Sequence, residues 1–393
     1  MLDTIGARDV GFGDDLPYVE QAWERIGAGD GPTGDEVADA FFHLARVEEA
    51  AWPGKPARLD EHGRFLGAWS SLDPLAPPLE RLRARLGVDP PRWGGARFAV
   101  ALTHDVDVPW RWSRVGVRGA ASRVKQALGR RQLGTAVAEA GALGAAPVHR
   151  VRGTDPYWSF DRIVGGETAR GARSTFFLMA GHAHPADGPS AETYDRVRPR
   201  LVELLDGAGA EVGLHGSYTA AGDDAVLGAE KARLDALGPA VRGQRYHYLR
   251  VRPHENLASL PGLGIAYDSS LGFPDAIGFR AGIAQPFRPW DLAAGRPHDL
   301  VEIPLAVMDV TLGEERYAWL SARDAEPRIL ALLDRAAEQG GGFAILWHSE
   351  WFDGAPHRGW EDLYFRVIDA VAERGGVCMS AGDLAEEAAA WLR

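Results

Sequence analysis

From residue 98 onward the chain alternates short apolar runs with amphipathic stretches, and this alternation limits its fold more than any other feature. The apolar runs fall at 98–107, 174–179, 211–215, 245–249, 264–268, 300–305, 343–348 and 377–380. Helical periodicity fills 197–205, 329–339, 363–374 and 381–391, with Gly340–Gly342 and Gly375–Gly376 as stops and Ser380 as an N-cap. Strands that alternate with helices must run parallel, because each helix returns the chain to the same edge. Seven or eight such strands predict an α/β fold of the (β/α) barrel type.

Two further zones precede or interrupt this pattern. Residues 1–95 read as a mainly helical accessory segment, bounded by Pro-rich pieces at Pro74–Pro78 and Pro90–Pro91. A barrel unit over 96–393 follows, carrying an insert at 108–154. Between Arg111 and Arg152 the insert holds nine Arg or Lys and one Glu, Glu139. This pattern is either a solvated helix pair or a surface that attracts an anionic substrate or an anionic lipid.

Composition narrows the possible partners. The formal net charge of −12 argues against nucleic acid. The single cysteine, Cys378, excludes an internal disulfide and reads as a small core residue. The first nine residues lack the pattern of a signal peptide, and no apolar run is long enough to span a bilayer, so a cytoplasmic location is expected.

Polar residues cluster at the ends of the apolar runs. Asp105 and Asp107 close the first, at a spacing that puts both on one side of an extended chain. They are an acidic strand exit, a pair that holds a metal ion, or a pair with divided roles, since two unpaired carboxylates at that distance repel. His215 closes the third run, Asp268 the fifth and His348 the seventh; Arg245 and His247 lie within the fourth. A parallel barrel gathers such positions at one face.

Three of these segments resemble motifs of the polysaccharide deacetylase family. Thr103-His104-Asp105-Val106-Asp107 is similar to its first motif. Glu211-Val212-Gly213-Leu214-His215-Gly216-Ser217 is similar to the second, and Phe343-Ala344-Ile345-Leu346-Trp347-His348 to the last. Segments 245–250 and 267–273 resemble a subgroup with an N-terminal extension. The likeness spans roughly residues 97–380. It implies a distorted barrel that binds one divalent metal, usually zinc, with Asp107 and His215 as ligands. Asp105 would be the general base and His348 the general acid. Arg245, His247 and Asp268 would orient these groups or touch substrate.

One departure stands out. The family's second motif places another histidine where this chain has Thr219. Two ligands are too few for a catalytic zinc, which takes three. Candidates for the third are His182, His184, His247, His254, Ser217 with water, or Thr219 itself, with His184 and Thr219 foremost by position. The resemblance implies hydrolysis of an amide carbon–nitrogen bond, most simply deacetylation of an N-acetylated sugar or glycan precursor. Loss of the ligand would leave an inactive carbohydrate-binding barrel, and a small non-sugar amide is a further substrate class. Trp110, Trp112, Tyr157, Trp158, Trp347, Trp351 and Trp360 are either core packing or a wall for sugar rings.

Overall fold

The computed structural model describes residues 36–392 except 52–55, 86, 113, 130, 132, 189–190 and 354–356. The first nine residues, read above for a signal peptide, and Arg130 in the basic run lie outside the described residues.

Nine strands form one parallel sheet: β1 (Ala99–Val106), β2 (Thr175–Met179), β3 (Glu211–Gly216), β4 (Gly243–Tyr246), β5 (Tyr267–Asp268), β8 (Val301–Glu302), β9 (Leu305–Met308), β10 (Gly342–Leu346) and β11 (Val377–Met379). The order is β8-β5-β4-β3-β2-β1-β10-β9, with β11 also paired to β1. Strands β6 (Trp290–Asp291) and β7 (Arg296–Pro297) make a separate antiparallel hairpin that the sequence reading missed. The expected strand at 300–305 is two strands. β8 pairs with β5, and β9 then pairs with β10, so one short segment joins both ends of the sheet into a barrel-like ring. Ile303 N–H donates to the Asp268 carbonyl at 2.9 Å, and Ala344 N–H donates to the Pro304 carbonyl at 2.8 Å. Pro304 has no N–H to offer, which suits the point where pairing changes sides.

The period of two along β1 explains both faces of the sheet. Val100, Leu102 and Val106 enter the apolar layer beneath the outer helices. Ala99 and Ala101 face the barrel interior, which is filled with Phe177, Tyr267, Ile303 and Leu346. Thr103 and Asp105 continue that inward row, and Asp107 follows it past the strand end. The interior is plugged by the last helix (Ala381–Trp391), whose Leu384, Ala385 and Ala388 join the same cluster. Ser380 caps it by accepting from the Asp383 N–H. Each fully buried Leu or Phe contributes roughly 1.5–3 kcal/mol, so these two layers dominate stability.

The N-terminal segment lies against the barrel. Its helix Glu36–Leu44 is followed by Arg46 and Glu49, both buried. Glu49 accepts from Arg46 at 2.6 Å and from the barrel's Arg280 at 2.6 and 3.0 Å. Burial alone would raise this carboxyl, but the two guanidinium groups hold it down at about 2. The basic insert forms two helices, Arg114–Gly129 and Leu133–Arg152, packed as a hairpin.

Candidate metal and catalytic site

Asp105, Asp107, His215, His247 and His348 line one cleft at the carboxyl ends of the strands. Asp107, His215 and His247 each present one ligand atom, all within 4.8 Å of one another. His215 Nε2 lies 3.2 Å from Asp107 Oδ1, and His247 Nε2 lies 3.5 Å from Asp107 Oδ2. Bonds of about 2.0–2.2 Å at tetrahedral angles set neighbouring zinc ligands roughly 3.3–3.5 Å apart, so the spacing fits. His215 Nε2 and Asp107 Oδ1 are buried without a hydrogen-bond partner in the fold. Such orphaned atoms, aimed at one another, suit a cation.

Each imidazole is oriented by its other nitrogen. His215 Nδ1 donates to the Arg245 carbonyl at 3.0 Å. His247 Nδ1 donates to Asp187 Oδ1 at 3.2 Å. In the neutral imidazoles these bonds select the tautomer whose lone pair sits on Nε2. Burial would raise Asp107, yet His247 and His215 hold it well below the usual carboxylate range. Burial lowers His247 in turn, but Asp107 and Asp187 bring it up to about 9.

The third corner is His247, and neither His184 nor Thr219 reaches the cleft. Thr219 is exposed at the start of a short turn. His184 is also exposed; its Nδ1 accepts from Ala186 N–H at 3.1 Å and its ring stacks on Tyr218. His182 Nδ1 donates to the Asp187 carbonyl, and His254 Nε2 faces the Arg46 carbonyl. His247 reaches the site because β4 ends at Tyr246, before the expected boundary. Tyr248 and Leu249 then take φ of 61° and 53°, left-handed values that are costly without glycine. This turn lets His247 and Tyr248 both line the cleft. Asp187 arrives on the loop after β2, where Gly188 adopts φ +78° against the Asp107 carbonyl, and a Cβ there would lie 3.1 Å from that oxygen.

Asp105 and His348 flank the three ligand atoms. Asp105 Oδ1 accepts from Arg245 Nη1 at 2.8 Å, and Asp105 Oδ2 stands 3.6 Å from His215 Nε2. Arg245 is fully buried and also donates to Thr103 Oγ1, the Ser269 carbonyl and Ser269 Oγ. His348 Nε2 lies 3.8 Å from Asp107 Oδ2. Burial disfavours its charged form, but Asp309, with Glu350 and Asp107, holds the imidazolium well above its ordinary value.

Asp268 is not in the cleft. It accepts from Gln244 and from Ser270 N–H and Oγ, beside the buried carboxyl of Glu302. Tyr267 of β5 faces the barrel interior, so the next residue, Asp268, turns its carboxylate the other way, into the wall. Of the aromatics named from sequence, Trp351 lines the cleft, whereas Trp347 and Trp360 pack on each other in the core.

Several lining residues escaped sequence reading, Glu350, Arg64, Arg316 and Tyr317 among them. Glu350 is pushed up to about 8 by burial, against the pull of His348. Its place two residues after His348 was a usable signal. Asp309 follows β9 just as Asp107 follows β1, and orients His348 without itself lining the cleft. Arg64 comes from the N-terminal segment, paired to Asp60 at 2.8 Å and bonded to Tyr317 Oη at 3.2 Å. Tyr317 and Arg316 complete the rim, and nothing in their local sequence marks them.

No family model matches the sequence, and no curated protein matches it. Solved structures do align with it. A provisionally assigned polysaccharide deacetylase from Mycobacterium smegmatis is 20% identical, with 77% of this chain and 94% of that chain covered and a TM-score of 0.47. Puue allantoinase is 15% identical, with 77% and 95% covered and a TM-score of 0.48. Another provisionally assigned polysaccharide deacetylase, from Pseudomonas aeruginosa PAO1, is 16% identical, with 76% and 94% covered and a TM-score of 0.46.

Proposed function

We propose that the protein is a metal-dependent hydrolase of an amide carbon–nitrogen bond, related to the polysaccharide deacetylases, and that it removes an acetyl group from an N-acetylated sugar or glycan precursor. The observation that carries this reading is the convergence of Asp107, His215 and His247 on one point, with Asp105 and His348 on either side. Two imidazoles and a carboxylate are a donor set that zinc favours. A divalent cation held there would lower the pKa of a water ligand and polarise the amide carbonyl.

The chain's own groups supply the proton movements. Asp105, fixed by Arg245, takes a proton from the attacking water. His348, kept as imidazolium by Asp309, gives a proton to the leaving nitrogen. Water adds to the acyl carbon, the carbon–nitrogen bond breaks, and the products are a carboxylate and an amine. Tyr248, Tyr317 and Trp351 line the cleft with aromatic surface, of the kind that sugars contact. The alternative of an inactive carbohydrate-binding barrel rested on Thr219, and the position of His247 favours the hydrolase instead.

Asp105→Asn tests the assignment. Activity on an acetylated-sugar panel should fall by about 10²–10⁴-fold while bound zinc stays stoichiometric. Full activity with metal bound would remove Asp105 as base. Turnover of small amides with none of the sugars would keep the chemistry and reassign the substrate.

A further inference from the structure

We propose that the helical hairpin Arg114–Gly129 and Leu133–Arg152 is a docking surface for an anionic lipid bilayer. Eight large hydrophobic side chains are exposed among the described residues, and six of them lie on this hairpin: Val117, Leu128, Leu133, Val137, Val148 and Val151. Their exposure runs from 39% for Val117 to 88% for Val151. Elsewhere among the described residues only Leu59 and Trp319 are exposed in this way, so the hairpin departs from the pattern of the surrounding surface.

The exposed apolar residues fall on regular faces. In the second helix, Leu133, Val137, Ala140, Gly144, Val148 and Val151 recur at steps of three or four, and all six are exposed. That periodicity makes one stripe roughly 27 Å long. In the first helix, Val117, Ala121, Val124 and Leu128 repeat the pattern, with only Val124 partly covered. The buried residues, Ala120 and Ala127 on one helix and Ala136 and Glu139 on the other, lie on different faces.

Charge selects the occupant. Arg118, Lys125, Arg131, Arg150 and Arg152 are all exposed on the hairpin or its turn. The single acid, Glu139, is buried and spent on Arg111 at 2.9 Å and Arg123 at 3.2 Å. A cationic hairpin on a chain of net charge −12 concentrates its attraction for anions in one place. Exposed apolar stripes edged with Arg and Lys match a bilayer interface, which is apolar below an anionic headgroup layer. No helix among the described residues is long and apolar enough to cross a membrane, so the hairpin would lie on the surface.

The hairpin leaves the barrel at the end that carries the site. Arg111, four residues past Asp107, bridges Glu139 to Asp353, which lies just beyond His348. A bilayer beneath the hairpin would therefore adjoin the cleft end of the barrel.

Co-sedimentation of the full chain with lipid vesicles tests this without any activity measurement. The protein should pellet with vesicles of phosphatidylcholine mixed with phosphatidylglycerol, and at least about tenfold less with phosphatidylcholine alone, with binding that weakens as salt rises. The pair Val137→Asp and Val148→Asp, and separately Arg118→Glu with Lys125→Glu, should each reduce binding by about tenfold or more. All four positions are exposed, and circular dichroism would verify that the helices persist. No pelleting with anionic vesicles at low salt would overturn the proposal, as would variants that bind like the parent. Self-association abolished by Val137→Asp with Val148→Asp, without vesicle binding, would assign the stripe to a second copy of the chain.

Discussion

Asp309 grips His348 at two points. Its Oδ2 accepts the His348 backbone N–H at 2.7 Å, and its Oδ1 accepts from Nδ1 at 2.7 Å. One carboxylate thus sets where the residue sits, which tautomer the ring adopts and how firmly it keeps its proton. Asp309→Asn preserves the shape but removes the charge. The imidazolium loses its main support, so the fraction able to protonate a leaving amine falls at a lower pH than in the parent. We expect kcat to drop by about 10–100-fold and the alkaline limb of its pH profile to move down. A pH–rate profile checks this, and an unmoved limb would separate His348 from the acid role.

The ligand geometry makes a sharp distinction among the histidines. His247→Ala should lower zinc affinity by about 10–100-fold or more, because it removes one of three donors. His184→Ala, which alters an exposed turn cap, should leave affinity unchanged. Titration of chelator-stripped protein with zinc reads both. Equal losses would mean that the three-atom cluster is not the metal site.

Much of this arrangement was legible in the chain because it is local. The period of two along 98–107 puts Asp105 and Asp107 on the inward row, and apolar runs that end in His215 and His348 deliver those side chains to the same face. The parallel sheet follows from strands and helices in alternation. What was illegible depends on contacts between distant segments or on backbone that residue types do not advertise. His247 stood among the candidates, but its selection over His184 depends on positive φ at Tyr248 and Leu249, neither of them glycine. Asp268 and Asp105 look alike as strand-end carboxylates, but one meets Gln244 and Ser270 and the other Arg245. Arg64 reaches the cleft from a segment with no chemical motif, through packing that only the fold creates.

Arg245 supports the barrel and the proposed base together. It is fully buried, bonded to Asp105, Thr103 and Ser269, and stacked over the Phe177 ring at 4.6 Å. Arg245→Met leaves the Asp105 carboxylate buried and unpaired. We expect a loss of about 3–5 kcal/mol, measured by urea unfolding. Adding Asp105→Asn should restore part of it, since the uncompensated charge is then gone. Strict additivity of the two changes would show that the pair is not coupled.

Glu302 gives the fold a pH dependence separate from the cleft. Its carboxyl is fully buried beside Asp268, and burial together with that neighbour pushes it well above the usual glutamate range. Its Oε1 accepts the Leu271 N–H at 2.9 Å, while Oε2 has no donor in the fold. A proton on Oε2 pointing to Asp268 satisfies both groups. The folded state then holds a proton that the unfolded chain releases near an ordinary glutamate pKa. Stability is therefore complete below that value and declines as pH rises toward the elevated one, by up to about 1.4 kcal/mol per pH unit. Glu302→Gln replaces the acid proton with an amide donor and keeps the acceptor for Leu271. Urea unfolding at successive pH values above the ordinary glutamate pKa should show falling stability for the parent and a flatter profile for the variant. Parallel profiles would place the shared proton elsewhere.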